Sequence, residues 1–358
     1  FALTGIRKLA ATPNHSEVLS CFLLNDGKSY LASTVTDAIG NPALTIGGRL
    51  KANGDFDSTL CGSYCISPAP QTSYTTGIYQ LGTSPDYNYY FSSTGFGGNV
   101  LRSGATSFED QTYTTAINAL PASVKLNDSV VLGGGLESGD GIILAYKANA
   151  TSTGYAGATG VITGATYPHG GIVAPFEPSI QTVAVAHLAV QSTGKVLAAG
   201  HAVYASGTDS AAYICRFKAN KLSLDSTFGT YGIVYLGIPT ATPAAINTMM
   251  VGPDDKIYIQ FRKIGGTNTY IRALNADGTV YTAFGSAGEI TTGTVRINKM
   301  KMIGGKLICG LQDAPGSDVV WSYNADGTAD TSLHNGTNAL SLSGYVSGGS
   351  NFVVNDIS

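Results

Sequence analysis

The stretch Arg216–Gly229, RFKANKLSLDSTFG, returns as RALNADGTVYTAFG at Arg272–Gly285 and, shortened, as YNADGTADTSL at Tyr323–Leu333. An earlier copy, RLKANGDFDSTL, spans Arg49–Leu60. A phrase that recurs at this length predicts an array of one small unit. A second phrase precedes the first. Its clearest copy is Val183–His201, an apolar alternating run, a tight turn at Thr193-Gly194-Lys195, and a second such run. Related copies start at Val18, Ser123, Ile246 and Ile297. Period-two alternation either side of Asp-Gly, Thr-Gly or Gly-Gly predicts a β-hairpin. The turns align on Lys28, Ser129, Lys195, Lys256 and Lys306.

Each unit then has four strands: A and B form the hairpin, C carries the recurring phrase, and D follows its Phe-Gly. Four antiparallel strands repeated every 50 to 65 residues or so predict an all-β chain folded as a β-propeller. Degenerate copies at Ser84–Ser93 and Ser347–Asp356 bring the expected count to seven blades. Phe1–Leu9 resembles Phe228–Leu236, the end of a unit. The expected arrangement is therefore a single domain over 1–358 with its closing blade shared by the N- and C-termini. Its units lie near 10–66, 67–111, 112–162, 180–236, 244–290 and 294–335, with 340–358 joined by 1–9.

Composition narrows the function classes. Charged residues are only 12% of the chain, about half the usual share, and no Lys/Arg run provides a nucleic-acid footprint. No run of about 18 apolar residues predicts a membrane-spanning helix. The sequence begins at Phe1 rather than Met, which suggests processing or trimming, with signal-peptide removal one route. Of five cysteines, Cys61 and Cys65 flank a three-residue loop and are candidates for a short disulfide. Cys21, Cys215 and Cys309 lie in apolar runs and read as buried thiols. Asn-x-Ser/Thr sequons occur at Asn14, Asn127, Asn149 and Asn335, and without a known host they decide nothing.

The two phrases together resemble the delta-60 repeat family, with Gly194-Lys195, Ala199-Gly200, Arg216 and Asp225-Ser226-Thr227-Phe228-Gly229 as the best match. Ile246–Gly288 and Val18–Gly62 match well, whereas the second and third units keep only fragments. The resemblance implies propeller-like repeats, often in secreted or surface proteins of bacteria, and implies no reaction.

The repeated Asn, Asp and Gly positions read as turn residues, since these side chains accept tight-turn backbone angles and bond nearby amides. Asp57, Asp225 and Asp330 are expected to cap the turn into strand D. A calcium reading is the alternative and is strongest near Asp326, where oxygen-bearing side chains cluster. Its copy-by-copy losses argue against an ion site, so no cofactor is expected. Arg49, Arg102, Arg216 and Arg272 are expected to bond carbonyls or acids between blades. Phe228, Phe284 and Leu60 are expected to pack one blade against the next.

Binding is expected on the loops that differ between units. In this strand order the B–C and D–A loops share a face. The candidates there are Asp37, Glu137, His201, Asp209, Arg262 and Asp313. His187 lies inside an apolar strand and reads as a satisfied core or channel histidine. No serine elbow, metal-spaced histidine pair or phosphate loop is present. The expected function is a non-enzymatic, exported structural or interaction module that binds other protein subunits of a surface assembly or extracellular particle such as a virion. The alternatives are a carbohydrate-binding propeller using Asp86-Tyr87-Asn88-Tyr89-Tyr90 and, less favoured, a hydrolase or lyase at the centre of the ring.

Overall fold

The computed structural model describes residues 16–23, 29–36, 42–53, 55, 65–67, 74–80, 88–94, 97–103, 108–112, 119–127, 130–137, 140–147, 171–172, 180–204, 210–219, 224–236, 246–263, 266–312, 318–333, 336–341 and 357. They contain strands and no helix. The first sheet runs β1 (Ser16–Leu23), β2 (Ser29–Thr36), β3 (Pro42–Leu50), β4 (Cys65–Ser67), and the second β5 (Tyr74–Gln80), β6 (Asn88–Thr94), β7 (Gly97–Ser103), β8 (Phe108–Thr112). The third holds β9 (Ala119–Asn127), β10 (Val130–Glu137), β11 (Asp140–Lys147) and β12 (Gly171–Ile172). The fourth runs β13 (Ile180–Val190), β14 (Val196–Tyr204), β15 (Ser210–Phe217), β16 (Ile233–Tyr235). The fifth runs β17 (Ile246–Val251), β18 (Ile257–Arg262), β19 (Thr269–Leu274), β20 (Glu289–Gly293). The sixth runs β21 (Arg296–Ile303), β22 (Lys306–Gln312), β23 (Asp318–Asn324), β24 (Ala339–Ser341).

Every sheet keeps its strands in chain order, and the hairpins fall where the alternating runs meet a turn. Lys195, for example, closes the β13–β14 turn by accepting the Gln191 amide at 2.9 Å. Strands β12 and β24 run past the unit ends expected at 162 and 335. Residues 1–9 and 342–356, the expected closing blade, lie outside the described residues, as does Leu60.

The chain divides into two compact units, one of residues 1–138, 142–162 and 358, the other of 139–141 and 163–357. In the first, β5 adjoins both β1 and β9; in the second, β17 adjoins both β13 and β21. The first strand of one sheet thus lies beside the first strand of the next.

The second unit shows why both faces of its strands read as apolar. Ile257, Ile259 and Phe261 of β18 join Leu197, Ala199, Ile214 and Phe228 of the fourth sheet. Tyr258, on the opposite face, joins Phe284, Ile297, Met300 and Leu307 towards the sixth. Side chains alternate across a strand, so a strand between two neighbours buries both sets.

A repeated contact links consecutive sheets. Phe228 is fully buried, and its ring lies under the turn of the next copy, where a Cβ on Gly278 would stand 2.9 Å from Phe228 Cε2. The Gly229 amide donates to the Asp277 carbonyl at 2.9 Å. One copy later, Phe284 lies under Gly327 and the Gly285 amide donates to the Asp326 carbonyl at 2.7 Å. At these two junctions the Phe-Gly of one copy seats on the Asp-Gly turn of the following one. Gly278 has φ +89° and no room for a side chain. Gly278→Ala is expected to destabilise the protein by more than about 1 kcal/mol in urea unfolding. Gly304→Ala, at φ +57° with nothing within 4 Å, is expected to lose less because it adds no clash.

Candidate functional site

The repeated charges mostly pair within their own sheet's unit, and Arg216 also reaches the next one. Arg216, on β15, donates through Nε to Asp225 Oδ2 at 3.0 Å, through Nη2 to Thr227 Oγ1 at 3.0 Å, and through Nη1 to Gln191 Oε1 at 3.3 Å. Nη1 also donates to the Ala276 carbonyl of the following copy, and the guanidinium lies 4.8 Å from the Phe228 ring centroid. Lys195 pairs with the same Asp225 carboxylate at 2.9 Å. Burial acts to raise the Asp225 pKa, but Lys195, Thr227 and Arg216 together hold it well below the usual carboxylate range. Lys306 and Asp330 repeat the pairing at 3.0 Å, with Ser332 and Ser322 also donating to the carboxylate. Between these copies the acid is replaced by Tyr281. There the lysine is kept, and Lys256 Nζ sits 4.6 Å from the Tyr281 ring centroid.

The arginines do not share one position. The amides of Asp225, Tyr281 and Asp330 donate to the carbonyls of Arg216, Ala273 and Ser322. The structural counterpart of Arg216 is therefore Ala273, and Arg272 lies one residue earlier, on the other face of its strand. Arg272 pairs with Glu289 of its own sheet, its Nε donating to Oε1 at 2.6 Å, and lies over Phe261. The expected bonding between blades thus holds for Arg216 and is corrected for Arg272. The side chains of Arg49 and Arg102 lie outside the described residues.

The turn acids are also engaged locally. Asp277 Oδ1 accepts from the Thr279 amide at 2.9 Å and hydroxyl at 2.7 Å, and Asp326 Oδ1 accepts from Thr328 at the same two distances. Asn275 and Asn324 complete these turns by donating to the threonine hydroxyls. Oδ1 of Asp326 is thus engaged in its own turn. Asp225 and Asp330 cap as expected, accepting from the Thr227 and Ser332 amides, both at 3.2 Å.

Of the loop candidates, Asp37, Asp209 and Asp313 lie outside the described residues. Glu137 is the last residue of β10. His201 is exposed on β14, its Cα paired with Ala184 and Ala212; partial burial of its ring lowers its pKa. Arg262 ends β18 opposite Thr269. His201 and Arg262 thus stand on different sheets, the fourth and the fifth. Cys65 lies in β4 opposite Gly47, and Cys61 is outside the described residues. Cys215 and Cys309 are buried free thiols, and burial pushes both pKa values up.

His187 is satisfied by the Ile246 carbonyl, 3.3 Å from Nε2. Burial lowers its pKa to about 4, with the Ile246 carbonyl opposing and Lys299 adding to the shift. The folded state therefore binds this proton later than the unfolded chain as pH falls. Its stability contribution is complete above about pH 6.5 and is lost as pH drops towards 4, by about 2–3 kcal/mol. Denaturant unfolding at pH 7.5 and 4.5 is expected to show wild type losing that much more than His187→Asn.

An open cleft of about 390 Å³ lies where the turns and strand ends of the fourth, fifth and sixth sheets approach. Val190, Met250, Val251, Pro253, Met300 and Met302 line it, with Ser192, Asp255 and Lys301. Three of the chain's four methionines are here. Both Asp255 oxygens accept from Ser192, from its amide at 2.7 Å and its hydroxyl at 2.6 Å. This cleft is at the A–B end of the strands, opposite the B–C and D–A loops. Sequence reading missed it because its methionines lie on two strands some 50 residues apart, where they read as the buried face of a hairpin.

Residues 191–228 match a protein family described as a domain of unknown function, DUF5122 beta-propeller. The repeats are of the β-propeller type. No curated protein matches the chain. A chain in a structure of the COPII outer coat vertex on membranes is 10% identical with a TM-score of 0.51, over 87% of this chain and 73% of that one. A chain in the COPII coat assembled on membranes gives the same identity and TM-score, over 87% of this chain and 40% of that one. A prolyl endopeptidase is 9% identical with a TM-score of 0.47, over 92% of this chain and 42% of that one. This chain therefore spans less than half the length of the latter two. At such identities the likeness to the coat chains is one of fold.

Proposed function

We propose that the chain is an exported, non-enzymatic β-propeller that binds other protein subunits of a surface assembly. In this reading the sheets are blades of one seven-bladed ring of delta-60 repeats over 1–358, closed by both termini. The observation that carries the function is how the side chains are used. The buried charges of the second unit, Arg216, Asp225 and Asp330, are engaged between strands and sheets, whereas its open cleft is lined by three methionines beside Ser192, Asp255 and Lys301. Such a surface suits protein contact better than bond-making, and methionine side chains adapt to varied partners. The coat chains of similar fold work in an assembly, and we extend that use to this chain.

Fractionation of the native source tests the reading. Co-migration with a surface or particle fraction is expected, and recovery as a soluble cytosolic monomer overturns it. We further propose that the Asp-Gly turns need no ion. Melting temperatures in EDTA and in millimolar calcium are expected to agree, and a rise with calcium that Asp326→Asn removes would reverse the assignment.

A further inference from the structure

The open cleft sorts the protein's sulfur atoms by their access to an oxidant. All four methionines lie on two neighbouring first strands, Met249 and Met250 on β17 and Met300 and Met302 on β21. Alternation sends Met249 towards the fourth sheet, where it is 9% exposed, and Met250 towards the sixth. Met300 and Met302 share one face of β21. Met300 is 5% exposed, whereas Met302 is only partly buried. Met250 and Met302 are therefore the methionines that both line the cleft and keep surface in solvent. The described thiols do not compete with them. Cys215 and Cys309 are fully buried, and burial pushes their pKa values up, so neither offers a thiolate. Met250 and Met302 also pack against the cluster of Tyr258, Phe284, Ile297 and Leu307. Their flexible apolar side chains thus help fill the junction between the fifth and sixth sheets.

We propose that Met250 and Met302 form a reversible oxidation site, at which sulfoxide formation loosens the junction between the fifth and sixth sheets. The co-reactant is a hydroperoxide. A sulfur lone pair attacks one peroxide oxygen, the S–O bond forms as the O–O bond breaks, and the departing hydroxide or alkoxide takes the proton of the transferred oxygen. Sulfur loses two electrons, and the peroxide is reduced to water or an alcohol. The sulfoxide is polar and needs a donor. The amide and hydroxyl of Ser192 already donate to Asp255, and Lys301 alternates onto the other face of β21. The new oxygen therefore turns to water and draws its side chain out of the apolar cluster. Sulfoxide reductases, one for each epimer, reverse the step. This chemistry depends on the cleft alone and is separate from any role in an assembly.

The test treats the purified full chain with dilute hydrogen peroxide and follows each methionine by tandem mass mapping of its peptides. Met250 and Met302 are expected to convert at least about tenfold faster than Met249 and Met300, whose oxidation waits on local opening. Full conversion of the fast pair is expected to lower the melting temperature by about 2–4 °C. It is also expected to shift the emission of Trp321, the chain's one tryptophan, which packs against the same cluster. Reductases for both sulfoxide epimers are expected to restore both readings. A double variant, Met250→Leu with Met302→Leu, keeps the apolar volume and is expected to hold its melting temperature through the same treatment. Comparable rates at all four methionines, no conversion of the fast pair, or a converted pair that leaves melting and emission unchanged would each overturn the proposal. Mass mapping of the wild type decides the site even where the double variant fails to fold.

Discussion

Phe228→Ala is expected to destabilise the protein by about 3–5 kcal/mol, the range for emptying a buried phenylalanine site. The ring is fully buried, and three groups would lose it. The Gly278 turn rests on it, and Val234 and Gly278 stand over the same place. Arg216 lies 4.8 Å from its centroid, a contact of about 0.5–2 kcal/mol. Gly278 has no side chain with which to refill the space. Phe228→Leu keeps most of the volume and is expected to lose less than half as much. Urea unfolding measures both. A loss below about 1 kcal/mol for Phe228→Ala would mean that this ring does not hold the fourth and fifth sheets together.

The second large effect is expected at Asp225. Its side chain is 3% exposed and faces Arg216, 5% exposed, with Lys195 on the same oxygen. Asp225→Ala leaves a buried guanidinium without its anion, and loss of one partner of a buried pair destabilises by about 3–5 kcal/mol. Arg216→Met is expected to be milder, because Asp225 keeps Lys195 and Thr227. Combining the two is expected to recover part of the Asp225→Ala loss, since the stranded cation is gone. A double-mutant cycle in urea reads this coupling, and strictly additive losses would show that the pair does not act as a unit.

The strand layout was legible because alternation and turn chemistry are both local. Thr193-Gly194-Lys195 between two apolar runs is a hairpin signal whatever lies around it, and β13 and β14 form there. The turn role of Asp277 and Asp326 was legible for the same reason: a short acidic side chain bonds the amide two residues on. The arginine register was not. Letters align Arg216 with Arg272, but the backbone bond from Asp225 or Tyr281 fixes the true correspondence, and a slip of one residue changes the face of a strand. The cleft was also hidden, because it depends on which first strands lie side by side. No local pattern records that Met250 and Met300 share a wall. The lysine over Tyr281 lies between these cases. Its recurrence was visible, but its exchange of an acid for an aromatic ring needed the third dimension.

The seating of Phe-Gly on the following Asp-Gly turn has a polarity. At the two junctions described, one copy is the guest through its phenylalanine and the next is the host through its turn. The fifth sheet does both, receiving Phe228 at Gly278 and offering Phe284 to Gly327. A duplicated copy inserted beside it would find a host already shaped for its ring and would offer its own turn to the preceding guest. Whole copies can therefore be gained or lost without inventing a new contact surface, whereas a gain of half a copy strands one role without its counterpart.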